Sequence, residues 1–127
     1  MYKPKVEKDI RCPLEYGLDI FGGKWKSRII CVLDSKKILR YSELRTELEN
    51  ITDAVLSSAL KELILDQIVC RQAYDAIPPH VEYSLTERGK SVVPILQSIC
   101  KWAATAPKAE YKNIMSPCRS CSYKWQD

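Results

Sequence analysis

The chain has 127 residues, enough for one domain of ordinary size, and at 46% apolar and 28% charged it can bury a core. Its formal charge of +4 permits a nucleic-acid partner without demanding one. No apolar run approaches the roughly 18 residues of a membrane span, and the charged opening Met1–Asp9 lacks the apolar stretch of a signal peptide. These features argue against a membrane protein, an extracellular enzyme or a disulfide scaffold. They lead us to expect a cytoplasmic protein with reduced thiols.

In chain order, residues 1–10 read as an N-terminal arm. Pro13 then opens a short helix with Leu14, Leu18 and Phe21 at apolar spacing, stopped by Gly22-Gly23. A second helix begins near Lys24, with Trp25, Ile29, Val32 and Leu33 on one stripe and Lys36-Lys37 at its end. Ser42 is expected to cap a third helix, Glu43 to about Leu48, with Leu44 and Leu48 inward. Thr52 is expected to cap a fourth. At 100° per residue its core face is Val55, Leu56, Ala59, Leu60 and Leu63, and its outer arc is Asp53, Ala54, Ser57, Ser58 and Lys61. The outer side is unusually small.

Residues 69–74 and 80–85 alternate as two strands of a hairpin, joined by Asp75-Ala76-Ile77-Pro78-Pro79. Thr86-Glu87-Arg88-Gly89 opens a last long helix. Its stripe is Val92, Leu96, Ile99, Cys100 and Ala103, widened by Ile95 and Trp102, and Pro94 is expected to kink it. After residue 106 the pattern gives way to a polar tail, 107–127, containing Cys118 and Cys121.

The expected architecture is mainly α with a small β-hairpin. A short helix, a tight turn and a capped helix with a small outer face are what a helix-turn-helix needs, because the second helix must enter a groove about 12 Å wide. The hairpin that follows would be the wing. Helix pairs of this kind also occur in proteins that never touch DNA, so a generic helical interaction domain competes on pattern alone.

The segment Cys12-Pro13-Leu14-Glu15-Tyr16-Gly17-Leu18-Asp19-Ile20-Phe21-Gly22-Gly23-Lys24-Trp25 resembles the opening signature of HxlR-type winged-helix transcriptional regulators, relatives of the MarR group. The likeness continues through Arg40-Tyr41-Ser42-Glu43-Leu44-Arg45, Ile51-Thr52, Leu60-Lys61-Glu62-Leu63 and Pro78-Pro79-His80-Val81-Glu82-Tyr83-Ser84-Leu85-Thr86. It then runs through Gly89 and Pro94 to Trp102, so that 11–106 form the domain. The resemblance implies a homodimer that forms through its first and last helices and binds a roughly palindromic double-stranded DNA operator. It makes the helix after Thr52 the recognition helix and the segment around Pro79 and His80 the tip of the wing.

The residues expected at DNA are therefore Arg40, Tyr41, Ser42, Arg45, Thr52, Asp53, Ala54, Ser57, Ser58, Lys61, Pro79 and His80. Arg40, Arg45 and Lys61, with Lys37, suit phosphates, which set affinity rather than sequence. Two departures from the family pattern stand out. Members commonly carry longer polar or basic side chains at the places of Asp53 and Ala54, and often Arg at the place of His80. Asp53 can cap its helix or accept from a cytosine amino group, and Ala54 can touch a thymine methyl or be an uncommitted surface residue.

Of the cysteines, Cys12 precedes Pro13 at a helix N-terminus beside Arg11, a setting that favours a reactive thiol. The resemblance implies sensing of an oxidant or electrophile at this position. Cys70 and Cys100 are expected in the core, and Cys31 lies off the stripe of its helix. Cys118-x-x-Cys121 lacks the two further ligands that a zinc site needs. No cofactor, metal site or catalytic set is expected, because nothing here matches a phosphate loop or a nucleophile triad. The alternative function is a dimeric winged-helix adaptor that binds a protein or zinc and has no operator.

Overall fold

The computed structural model describes residues 8–104. Helices α1 (Pro13–Phe21), α2 (Lys26–Lys36), α3 (Tyr41–Leu48), α4 (Asp53–Leu65) and α5 (Glu87–Ala103) surround strands β1 (Ile38–Arg40), β2 (Val69–Tyr74) and β3 (His80–Leu85). The strands form one antiparallel sheet of order β1-β3-β2. This is a winged helix-turn-helix, with α3 and α4 as the pair and β2–β3 as the wing.

The core is aliphatic. Ile29, Ile30, Val32 and Leu33 of α2 meet Leu44 and Leu48 of α3 and Leu56, Leu60 and Leu63 of α4, all buried. Val92 and Leu96 of α5 and Tyr83 and Leu85 of β3 close the cluster. No polar or charged residue among those described is buried, so burial of apolar surface dominates the fold.

The caps explain where the helices begin. Thr52 Oγ1 accepts from Val55 N–H at 3.2 Å, as its position before α4 predicts. Helix α4 closes where Ile68 N–H donates to Leu63 O at 2.9 Å, with Gln67 at φ +61 turning the chain into β2. Thr86 does two jobs at the head of α5. Its Oγ1 accepts from Gly89 N–H at 2.9 Å and donates to Gln67 O at 2.6 Å, which ties α5 to the α4–β2 turn.

Several expectations are corrected. The hairpin predicts two strands, but β1 adds a third, pairing Ile38 with Ser84 and Arg40 with Glu82. Helix α3 starts at Tyr41 with Arg40 as its N-cap residue, so Ser42 does not cap it. The Glu43 carboxylate instead accepts from Arg40 N–H at 2.8 Å. Val55 lies on the outside of α4 rather than in the core.

Leu14 and Leu18 share a face of α1 that points away from the core, 69% and 56% exposed, and Ile20 is the residue that α1 buries. Ile95 and Trp102 on α5 are 57% and 78% exposed. Ile99 and Cys100, expected inside, are also exposed. Cys70 is exposed because β2 is an edge strand that buries only Val69. Helix α5 runs through Pro94 without a break.

Candidate nucleic-acid interface

The outer arc of α4 is built as its spacing predicts. Asp53, Ala54, Ser58 and Lys61 are exposed on it. Ser57 is half-buried, turned toward α3, where the Tyr41 hydroxyl lies 3.4 Å from its Oγ. Thr52 is exposed but spends its side chain on the cap.

The main surprise lies at the N-terminus of α4. The cap is Thr52, so Asp53 is left for another role. Its carboxylate reaches across to α3: the Tyr41 hydroxyl lies 3.1 Å from Oδ1 and 3.2 Å from the Asp53 carbonyl oxygen, and Arg45 Nε lies 3.4 Å from Oδ1. Asp53 therefore bridges α3 and α4 and holds Arg45 against itself. The expected phosphate grip of Arg45 is engaged by a carboxylate in this state. Both side chains are more than half exposed, so the pair contributes little stability and can be exchanged for another partner.

Beside this contact a concavity of about 380 Å³ is lined by Tyr41, Ser42, Arg45, Thr46 and Glu49. Ser42 is exposed in the first turn of α3, and its backbone carbonyl accepts from Thr46 Oγ1 at 2.9 Å. Arg40 is exposed at the end of β1, one residue before α3. Arg40, Tyr41, Ser42 and Arg45 are thus brought together with the N-terminal turn of α4, at the face where a duplex would meet the helix pair.

The wing reaches its tip at Ile77, fully exposed, with a cis peptide before Pro78 and with Pro79 exposed. His80 is half-buried and already partnered. Its ring stacks on Tyr74 at 4.8 Å, and its Nε2 lies 3.3 Å from Glu82 Oε2. The Glu82 charge, with some burial, pushes the Tyr74 phenol above its ordinary pKa. The wing therefore presents a stiff apolar tip backed by a tyrosine–histidine–glutamate cluster. His80 is placed to shape the tip rather than to extend from it.

Cys12 is exposed at the N-cap of α1. The cation expected beside it is engaged elsewhere, because Arg11 pairs with Asp9 at 3.0 Å. The thiol donates instead to Glu15 Oε2 at 3.7 Å. Accessibility is as expected, and the electrostatic setting differs. Cys118 and Cys121 lie outside the described residues. Among the described residues no group of three or more His, Cys, Asp or Glu could hold a metal ion, and no helix is long and apolar enough to cross a membrane.

Sequence reasoning missed the Tyr41–Asp53–Arg45 contact, which joins residues far apart in the chain and has no spacing signature. It also missed the cation pair on Trp25, where Lys24 Nζ and Arg28 Cζ lie 5.1 Å and 4.7 Å from the centre of the ring.

Residues 20–111 match the family model of the HxlR-like helix-turn-helix. An HTH-type transcriptional regulator of Halalkalibacterium halodurans is 44% identical over 101 residues, covering 80% of this chain and 89% of that relative. The oxidized form of the redox regulator HypR superposes with a TM-score of 0.68 at 38% identity, over 77% of this chain and 100% of that one. The reduced form of the transcriptional regulator YodB from Bacillus subtilis gives a TM-score of 0.72 at 30% identity, over 80% and 100%. These relatives are transcriptional regulators, not enzymes.

Proposed function

This chain belongs to the HxlR-like helix-turn-helix family of transcriptional regulators, and from that premise we propose that it binds a roughly palindromic operator as a cytoplasmic homodimer whose grip on DNA responds to modification of Cys12. Helix α4 lies in the major groove, with Ala54 and Ser58 nearest the base edges and Asp53 and Ser57 beside them. Arg40 and Lys61 serve phosphates, Arg45 joins them as far as Asp53 releases it, and Pro79 and His80 bring the wing to the neighbouring backbone. The observation that carries this reading is the outer face of α4, exposed and small from Asp53 to Lys61 with a helix and a wing on its flanks.

The apolar stripes support dimerisation. Leu14, Leu18, Ile95, Ile99 and Trp102 are exposed in the single chain. Removing the exposed apolar part of each from water is favourable by about 25 cal/mol per Å². Light scattering on the purified protein should read two chains per particle. In a gel shift, duplex from the protein's own promoter region should bind and weaken with salt. No shift at any salt would sink the reading.

The thiol has a separate test. The relatives HypR and YodB include a redox regulator and a protein solved in its reduced form, which supports a redox-responsive reading; the assignment to Cys12 is our proposal. A mild oxidant or a quinone should change the operator affinity of the wild type by about tenfold or more, the scale of an ordinary coupling between sites. Cys12→Ser should bind with wild-type affinity and show no response. A variant that responds like the wild type would remove Cys12 from the mechanism.

Asp53 sets how much of Arg45 is available to DNA. In Asp53→Asn the amide retains an acceptor for Tyr41 and releases the charge on Arg45. The log–log slope of affinity against salt should steepen by about 0.9 per protomer, the signature of one added phosphate contact. An unchanged slope would mean that Arg45 already leaves Asp53 when DNA binds.

A further inference from the structure

A helix seated in the major groove lies between two ridges of phosphates, one on each side, across a groove about 12 Å wide. On the α3 side of α4, Arg40 is exposed toward one ridge, and Arg45 lies beside it, paired with Asp53. The opposite side is walled by the turn between α1 and α2. A groove of about 310 Å³ runs there, with Gly23, Lys24 and Trp25 on one wall and Ala54 and Ser58 of α4 on the other. The reading face and this wall therefore share a surface.

The cations near that wall are arranged in a particular way: Lys24 lines the groove, and Arg28, half-buried on α2, stands outside its lining and meets it through the Trp25 ring. Lys26 is committed to Glu62 at 3.5 Å, with side chains only 11% and 22% exposed, and so belongs to the packing. Lys24 and Arg28 have no carboxylate within ion-pair distance among the described residues. Both cations rest on the Trp25 indole, at 5.1 Å and 4.7 Å from its centre. Trp25 itself packs on the core. A cation stacked on an anchored ring has less freedom to lose when it meets a phosphate. The approach is open: Gly23 holds φ +87, and the direction in which a side chain would project from it has no atom within 4 Å.

The outer arc of α4 brings only one anion and one cation, Asp53 and Lys61, so affinity has to be supplied from the flanks. We propose that Lys24 and Arg28, carried on Trp25, form a second phosphate grip that holds the backbone strand opposite the one gripped from α3. This inference rests on the DNA-binding reading and adds the turn between α1 and α2 to the interface.

The test is the salt dependence of duplex binding by the full chain, measured by fluorescence anisotropy. Lys24→Gln and Arg28→Gln should each flatten the log–log slope by about 0.9 per protomer, and the double variant by about 1.8. Lys24→Arg should keep the wild-type slope. Lys90→Gln, which removes one charge from α5, should leave the slope unaltered. Wild-type slopes in the glutamine variants, beside normal wild-type binding, would overturn this inference and spare the DNA reading. An equal flattening by Lys90→Gln would also overturn it, because the effect would then be one of overall charge. A wild type that binds no duplex at any salt would overturn both.

Discussion

Replacing Gly89 by alanine is expected to destabilise the fold by about 3 kcal/mol, although the new side chain is a single methyl group. Gly89 is buried in the first turn of α5, over the turn that links α4 to β2. A Cβ there would collide with the Ile68 carbonyl oxygen and would stand 3.3 Å from Leu85 Cδ2. The obstacle is backbone, and it is held in place from two directions. Thr86 N–H donates to that same Ile68 oxygen at 3.0 Å, and Ile68 N–H donates to Leu63 O at 2.9 Å. Relief requires α5 to move off the sheet, which loosens Val92 and Leu96 in the core. Thermal unfolding should show the midpoint falling by about 10 °C or more. A fall below about 2 °C would mean that the α4–β2 turn yields freely and that the junction is softer than its hydrogen bonds indicate.

The second large effect concerns binding and leaves the fold alone. Ala54→Glu should lower operator affinity by about 100-fold or more, while the melting temperature stays level or rises slightly. Ala54 is exposed one residue inside the start of α4. A carboxylate in a first helical turn is favoured by the helix dipole by about 0.3–1 kcal/mol, so stability is not at risk. In the major groove the same carboxylate would face the base edges through which sequence is read, between two rows of phosphates. It would stand beside Asp53 and make the arc from Asp53 to Lys61 net negative. A generic interaction helix would show the opposite pattern, with duplex affinity unaffected because there was none to lose. Undiminished operator binding by Ala54→Glu would show that α4 does not enter the groove by this end.

What could be read from the chain, and what could not, divides by the range of the interaction. The hairpin was legible at its true bounds, Val69–Tyr74 and His80–Leu85, because alternation and a proline pair are local signals. The cap at Thr52 was legible for the same reason, and the start of the last helix at Thr86 was too. Strand β1 was not. It has three residues, of which only Leu39 is buried, and it is a strand because β3 lies beside it. Spacing placed Leu14 with Leu18 and Ile95 with Trp102 on shared faces, but spacing cannot say whether a face meets its own core or another molecule. Cys100 was misplaced inward by that ambiguity, and Cys70 because a strand pattern does not reveal which strand is the edge.

The candidate site shows the same division. Its outer arc on α4 followed from helical geometry alone. Its electrostatics did not, because the fold set the partners of two cations, Asp53 for Arg45 and Glu62 for Lys26, and a local pair with Asp9 took Arg11. These pairings change the reading of Cys12 as well. Its thiol is accessible, but its neighbour is the Glu15 carboxylate rather than the Arg11 guanidinium. A sensor built this way relies on exposure and on the reagent, with little help from a resident cation.

The proposed dimer places two copies of α4 on two related half-sites. Selection of duplexes from a random pool by the purified protein, followed by sequencing, reads this out. One inverted repeat should be enriched, with half-site centres about one helical turn or a multiple apart and with enrichment lost in Ala54→Glu. Enrichment of a single asymmetric site, or of no sequence at all, would contradict it.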